Sequence, residues 1–313
     1  MFFSLMQRQL TIDRRISLHK LEVLCRVVEL GGVGRAAEAL FVTQPVVTAH
    51  VRSLEERLGT KLFYREGRRL HLTESGRVVH AWAEDVLGRT RELDRHLAGL
   101  SEGSRGSVAL GASMSLGSYR LPSILTSYQR AHPGVELRLG ISDTEHMIED
   151  VRAGAFDFAV VVSDAALDGP GLATELLGHE ELVLIAAPDA EPKEAEIAPA
   201  QLAGLPFVEA PEGILRRRFV DRSLDALGVG ERNVVLELGH PEAMKRAARA
   251  GLGVSMLFRS AVAEDLAQGT LREVRIAGTD LQIPVYLVHR KDKEFSPPHR
   301  ELIGDVRAAF AAG

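Results

Sequence analysis

The chain of 313 residues has one cysteine, one tryptophan and only 5% aromatic residues. A single thiol cannot close an internal disulfide, nor supply a zinc centre of the Cys-rich kind. Nowhere do about 18 uncharged apolar residues follow one another, so no segment has the pattern of a membrane-spanning helix and no membrane partner is expected. Met1 to Ile16 carries neither a small-residue cleavage site nor the apolar run of a signal peptide, and the expected location is cytoplasmic. Catalytic signatures are missing as well. Gly111-Ala112-Ser113-Met114-Ser115 lacks the second glycine of a nucleophile elbow, and His179-Glu180-Glu181 has no second histidine at helical spacing. No glycine-rich phosphate loop occurs, and the eleven histidines show no paired spacing. The expectation is a chain that is not an enzyme and holds no metal or cofactor.

What is present is an ordinary globular composition, 45% apolar and 26% charged, long enough for about two domains. The net charge of −5 is unevenly divided. The first hundred residues hold 16 Lys and Arg against 12 Asp and Glu, a balance of +4, which leaves −9 for the remainder. Lys61, Arg65, Arg68 and Arg69 place four cations in nine residues with only Glu66 opposed. Such a density suits phosphate contact, although on charge alone it equally suits a solvated loop.

Leu18, Leu21, Val23, Leu24, Val27, Val28 and Leu30 recur at helical spacing until Gly31-Gly32, predicting a first amphipathic helix in which Cys25 reads as a small core hydrophobe. A second, short helix is predicted over Arg35–Leu40, with Gly34 at its capping position and adjacent alanines that allow close helix contact. After a tight turn at Phe41-Val42, Thr43 is a good N-cap and Pro45 falls in the first turn of a third helix. Val47, Val51, Leu54 and Leu58 put one apolar stripe on its inner face, and Gly59 ends it. The other face shows Gln44, Pro45, Thr48, Ala49 and Arg52. Hydrogen-bonding tips, a methyl group and a cation suit a helix lying in a major groove. The spacing is that of a helix-turn-helix, with a generic three-helix bundle as the alternative.

Lys61 to Leu72 reads as a β-hairpin around a basic turn, a wing whose arginines would follow the backbone or enter a minor groove. Thr73 then caps a long helix to about Leu100. Val78, Trp82, Val86, Leu93 and Leu97 form a coiled-coil-like seam on it that needs a partner, so homodimerisation is expected there.

Arg35-Ala36-Ala37-Glu38-Ala39-Leu40, Thr43-Gln44-Pro45, Leu54-Glu55-Glu56-Arg57-Leu58-Gly59, Lys61-Leu62-Phe63 and Leu72-Thr73-Glu74-Ser75-Gly76 closely resemble the winged helix-turn-helix of the LysR-type transcriptional regulators. The resemblance implies double-stranded DNA as partner, approached by Arg35, Thr43, Gln44, Pro45, Thr48, Ala49 and Arg52, with Arg65, Arg68 and Arg69 in the wing. Two positions depart from the family's habit: that of Ala49 usually carries a longer polar or basic side chain, and that of Val46 a smaller one. A different base preference is implied. The family also implies a tetramer built as two dimers and RNA polymerase as a further candidate partner.

Ser101 to Gly106 reads as a hinge, and beyond it strands and helices alternate. Strands are predicted at Ser107–Ala112, Val135–Ile141, Phe156–Val162, Leu182–Ala187, Phe207-Val208, Val234–Leu238, Val254–Leu257 and Val285–Val288. Helices fall between them at Leu116–Ala131, Thr144–Ala153, Ile214–Leu227 and Pro241–Ala250, and a last one runs from about Pro298 to Phe310. The predicted fold class is therefore an α-helical winged helix-turn-helix with a long linker helix, followed by a two-lobed α/β domain. That second domain resembles the effector-binding region of the same family, itself similar to type II periplasmic solute-binding proteins, with Ala131-His132-Pro133-Gly134-Val135 and Arg152-Ala153-Gly154-Ala155-Phe156-Asp157 as local matches.

The expected organisation is an N-terminal extension 1–16, a DNA-binding domain 17–73, a linker helix 74–100, a hinge 101–106 and an effector domain 107–313. Its lobe I takes about 107–178 and 284–313, and lobe II about 179–283. A small-molecule effector between the lobes would meet helix N-termini, which favour an anion. Ser113, Ser115, Thr144 and His240 stand at such places, each equally readable as a plain helix cap. By the same resemblance, Glu209 to Ile214 occupies the place where many members of the family have a Ser/Thr-rich anion loop, and Glu209 and Glu212 there would repel an acidic ligand. The function expected is a ligand-responsive transcriptional regulator. The alternative is a small-molecule binding protein without DNA function.

Overall fold

The computed structural model describes residues 16–67, 69–101, 106–165, 167, 169 and 171–311. The chain divides into two compact units, one of residues up to Arg95 with Arg152–Ala155, the other of His96–Val151 and Phe156 onward.

The first unit opens with α1 (Leu18–Glu29), capped by Ser17, whose hydroxyl accepts from the Lys20 amide. α2 (Val33–Ala39) starts two residues earlier than the sequence suggests: Gly32 is its cap, and Gly34 lies inside its first turn. The reason is that Gly32 closes α1 through its amide to the Val27 carbonyl and at once offers its own carbonyl to Ala36. α3 (Gln44–Leu58) follows a turn in which Phe41 takes φ +55°. Val47, Val51 and Leu54 are buried on α3, and Ala36 and Ala37, with nothing beyond Cβ, let α2 approach that stripe together with Val23 and Val27. Burying each such valine or leucine contributes about 1.5–3 kcal/mol relative to leaving it exposed.

β1 (Phe63–Glu66) and β2 (Arg69–Leu72) form the antiparallel hairpin in register Phe63 to Leu72, turning at Gly67, whose φ of +61° suits a residue without Cβ. Thr73 then caps α4 (Glu74–Ser101): its hydroxyl accepts from the Gly76 amide at 2.9 Å and donates to the Lys61 carbonyl at 2.7 Å. Ala83 and Leu87 of α4 complete a second core with Leu21, Leu24, Leu54 and Leu62.

In the second unit β3 (Ser107–Ser113) runs into a helical turn, Leu116–Arg120, and on into α5 (Leu121–Ala131). β4 (Glu136–Ser142), α6 (Thr144–Arg152), β5 (Phe158–Val162), β6 (Leu172–Ala186), β7 (Glu196–Ile197) and β8 (Pro206–Glu209) follow. Then come α7 (Leu215–Ala226), β9 (Asn233–Glu237), α8 (Pro241–Arg249), β10 (Ser255–Phe258), α9 (Arg259–Gln268), β11 (Arg272–Ile276), β12 (Gln282–Arg290) and α10 (Pro297–Ala311). The main sheet has the order β4-β3-β5-β12-β6-β11-β7, with β10 also on β6, while β8 and β9 pair in parallel.

β6 is one strand of 15 residues, where the sequence suggested only its end from Leu182. Leu172 to Glu181 pairs antiparallel with β12, and Leu182 to Ala186 carries β10 and β11, so the single strand β6 is shared by both parts of the sheet. α9, β7 and β11 were not foreseen. α9 turns Asp265 inward, where Lys245 holds it at 3.0 Å, and an acidic residue on the buried face hides the helical pattern.

Candidate nucleic-acid interface and ligand cleft

Thr43, Gln44, Pro45, Thr48, Ala49 and Arg52 are all exposed on or just before α3, opposite its buried stripe. Thr43 holds the cap position through its backbone, its carbonyl accepting from Val46 and Val47, and its side chain makes no capping bond. Arg52 pairs with Glu56 at 2.9 Å, but both side chains are largely exposed, and such pairs contribute little and yield readily to a stronger anion. Arg35 is exposed and its Nε donates to the Leu30 carbonyl, so it also closes the end of α1. Arg65 is exposed on β1. Arg68, and the side chain of Arg69, lie outside the described residues, as do residues 102–105 of the expected hinge and most of the expected N-terminal extension. Glu55 was not singled out from the sequence as a site residue. Its carboxylate takes the Leu62 amide at 2.9 Å and Lys61 Nζ at 2.7 Å, which fastens the root of the hairpin to α3.

On α4, Val78, Trp82, Leu93 and Leu97 are exposed over about half or more of their surface. Val86 differs from its expected place on that seam, being half-buried against the unit's own core. Cys25 packs at the edge of the same core, and burial, aided by Glu84, pushes its thiol up to about 12. A thiol so held is not a nucleophile at neutral pH.

The second unit contains a cleft of about 550 Å³ between its lobes. Ser113, Ser115, Thr144 and Ile214 line it, together with the starts of α6, α7 and α8. Two of these hydroxyls are anchored on one residue: the Val162 amide donates to Ser113 Oγ at 3.3 Å, and Thr144 Oγ1 donates to the Val162 carbonyl at 2.9 Å. Asp143 and His146 sit on the same rim, 2.6 Å apart. The hydrogen bond and charge of Asp143 raise His146 above its usual value; burial pushes Asp143 up, but bonds from the His146 backbone and ring more than offset it, leaving the carboxyl lowered. On the facing wall Arg218 reaches Glu145 at 3.1 Å, and Arg216 is buried with its guanidinium donating to the Met256 carbonyl at 2.6 Å.

Glu209 and His240 are corrections. Glu209 does not line the cleft; it is fully buried, with Arg232 at 3.2 Å, Arg217 at 3.8 Å and Arg216 at 3.9 Å. Burial raises its pKa despite those three cations. Repulsion of an acidic ligand by Glu209 therefore fails, because three arginines from α7 and the loop before β9 surround that charge. His240 is exposed outside the lining, where its Nδ1 accepts from the Glu242 amide at 3.2 Å as a plain helix cap.

Residues 18–77 match the family model described as bacterial regulatory helix-turn-helix protein, lysR family, and residues 101–311 match that of the LysR substrate binding domain. The chain belongs to the LysR family of transcriptional regulators. It is 30% identical over 292 residues to the HTH-type transcriptional regulator YeiE of Escherichia coli strain K12, covering 92% of this chain and 96% of that one. The RuBisCO operon transcriptional regulator of Allochromatium vinosum is 30% identical over 293 residues, 90% of this chain and 92% of the relative. The crystal structure of ArgP from Mycobacterium tuberculosis shares the fold, with a TM-score of 0.62 at 24% identity over 93% of this chain and 96% of that one.

This LysR-family regulator therefore combines a helix-turn-helix DNA-binding domain with a substrate-binding domain. Among its described residues no helix is long and apolar enough to cross a membrane. Five ionisable residues of its cleft, Asp143, Glu145, His146, Arg216 and Arg218, were missed from sequence. The run Arg216-Arg217-Arg218 directly after the loop was the available signal: three cations at the start of a helix oppose its dipole and need a reason.

Proposed function

We propose that this regulator binds DNA in the cytoplasm as a homodimer joined along α4, with pairs of dimers forming a tetramer. Two copies of α3 enter successive major grooves of a pseudo-palindromic site, half-sites lying about one helical turn apart or a multiple of it. Gln44, Thr48 and Ala49 face base edges, while Arg52 and the hairpin arginines contact phosphates or a narrow minor groove. The observation that carries this reading is the exposed face of α3, polar and small, directly opposite a stripe sealed into the core.

The chain acts by binding and not by catalysis. A small-molecule effector in the cleft favours one arrangement of the lobes over another and so shifts the population of DNA-binding states. RNA polymerase is the partner through which such a shift reaches transcription.

Footprinting of the full chain on the intergenic DNA beside its own gene tests the proposal. Two protected half-sites at that spacing, lost together in Thr48→Glu, are expected. Equal protection by wild type and Thr48→Glu, or none by either, contradicts it.

A further inference from the structure

The corner between α1 and α2 carries three glycines in four residues, Gly31, Gly32 and Gly34. Beside Gly32 the space is open, but the other two are filled from outside by the tips of exposed side chains of the helix-turn-helix. A Cβ on Gly31 would stand 2.8 Å from Arg35 Nη2, and one on Gly34 would stand 2.8 Å from Gln44 Nε2 and 3.7 Å from Gln44 Cδ. Gly31 also takes φ +64°, which by itself favours glycine. Gly34 has no such need. It lies in the first turn of α2, where glycine weakens a helix relative to alanine. What the position requires is room for the end of Gln44. That residue is the first of α3 and exposed, and among the described residues its amide makes no hydrogen bond, so its place against α2 is set by shape. A methyl carbon and an amide nitrogen do not approach to 2.8 Å, and of the two neighbours the flexible glutamine end is the one that would yield.

We infer that Gly34 is a positioning residue for sequence readout: by leaving room on α2 for the Gln44 amide, it holds that amide in the orientation that meets a base edge. The role rests on the proposed placing of Gln44 at a base edge. A glutamine reading adenine uses both ends of its amide at once, donor and acceptor in one plane, and hydrogen bonds so paired tolerate little rotation. A methyl group at position 34 turns the amide out of that plane. Contacts of Arg52 and the hairpin arginines with phosphates are made elsewhere and carry no sequence information. Alanine at position 34 therefore lowers discrimination between sequences while leaving general affinity for a duplex in place.

Anisotropy titrations of the full chain test this on a half-site located by footprinting, with each base pair replaced in turn. Wild type, Gly34→Ala, Gln44→Ala and the double variant are compared. Wild type is expected to prefer one or two base pairs by roughly fivefold or more, the range of a bidentate contact, and Gln44→Ala to lose that preference. Gly34→Ala should lower the same preference by about threefold or more at the same base pairs, with affinity for unrelated duplex held within about twofold. Its thermal melt, followed by circular dichroism, should lie no lower than that of wild type, since alanine is the better helix former. In the Gln44→Ala background Gly34→Ala should change nothing further, because its effect runs through that amide. An unchanged preference in Gly34→Ala, an equal loss of affinity for all sequences, or the same effect with and without Gln44 would overturn the inference while leaving readout by α3 standing. A preference untouched by Gln44→Ala would overturn it together with the base contact of Gln44, and the absence of any protected half-site would overturn the DNA-binding proposal as well.

Discussion

Lys293 Nζ lies 2.9 Å from Asp157 Oδ1, and the two side chains are only 2% and 5% exposed. The other carboxylate oxygen takes the Ala109 amide at 2.8 Å and faces His299 Nε2 at 3.1 Å, so one buried acid ties β3 to the start of α10 and the loop before it. Burial pushes the Asp157 carboxyl up, but the His299 contact, the Lys293 charge and the Ala109 amide together hold it well below the usual carboxylate range.

Removing one partner of such a pair strands the other charge in the interior. Lys293→Met is expected to destabilise the second unit by about 3–5 kcal/mol, read as a lower urea midpoint. Because the folded carboxyl is lowered, its stabilising contribution is complete above the unfolded value, near 4, and fades as pH falls below that toward the folded value. Urea melts from pH 7 to pH 2 should show this loss in wild type and a flatter profile in Asp157→Asn.

Gly76 has an unexceptional backbone, so its role is space. A Cβ there would stand 2.1 Å from the Leu62 carbonyl oxygen and 2.9 Å from Leu72 Cδ2. The backbone oxygen cannot swing aside, and Gly76→Ala must push the start of α4 off the hairpin root. A cost of about 1–3 kcal/mol is expected, as a fall of several degrees in the melting of the DNA-binding unit. Ser75→Ala, one residue earlier, should fall by clearly less.

His146 is largely exposed, and its raised pKa comes first from the Asp143 hydrogen bond. An NMR titration should place its midpoint above the ordinary value of about 6.5, and Asp143→Asn should bring it back toward that value. The pair favours the folded state below the unfolded value of His146 and loses that contribution as pH rises through the folded one. A midpoint at or below the ordinary value in wild type would contradict the contact.

Trp82 and Leu93 are large apolar side chains exposed on α4. If they anchor the dimer, Trp82→Ala should weaken self-association by about 2 kcal/mol or more, roughly thirtyfold in Kd, in sedimentation equilibrium. Val86→Ala should instead lower the melting temperature, since that residue packs internally.

The helical unit was legible from sequence because its signals are local. Val47, Val51 and Leu54 repeat at helical spacing, Gly59 takes φ +67° at the end of α3, and Thr73 caps α4, all within a few residues of what they define. The first half of β6 was not legible, because its acidic residues read as surface. Glu175, Glu180 and Glu181 are satisfied by Arg307, Arg120 and Arg259, cations 60 or more residues away. Glu209 was misplaced for the same reason: no spacing reveals that Arg216, Arg217 and Arg232 close around it. Ser113 and Thr144 could be singled out as positions after a strand and before a helix, but their common anchor on Val162 exists only in the fold.

The central claim is that the outer face of α3 and the hairpin meet a DNA duplex. Its most direct test is the slope of log affinity against log salt concentration for the full chain on its upstream DNA, by fluorescence anisotropy. Arg52→Ala and Arg65→Ala should each lower the slope by about one, and together by about two. Slopes and affinities unchanged in the double variant would contradict the account.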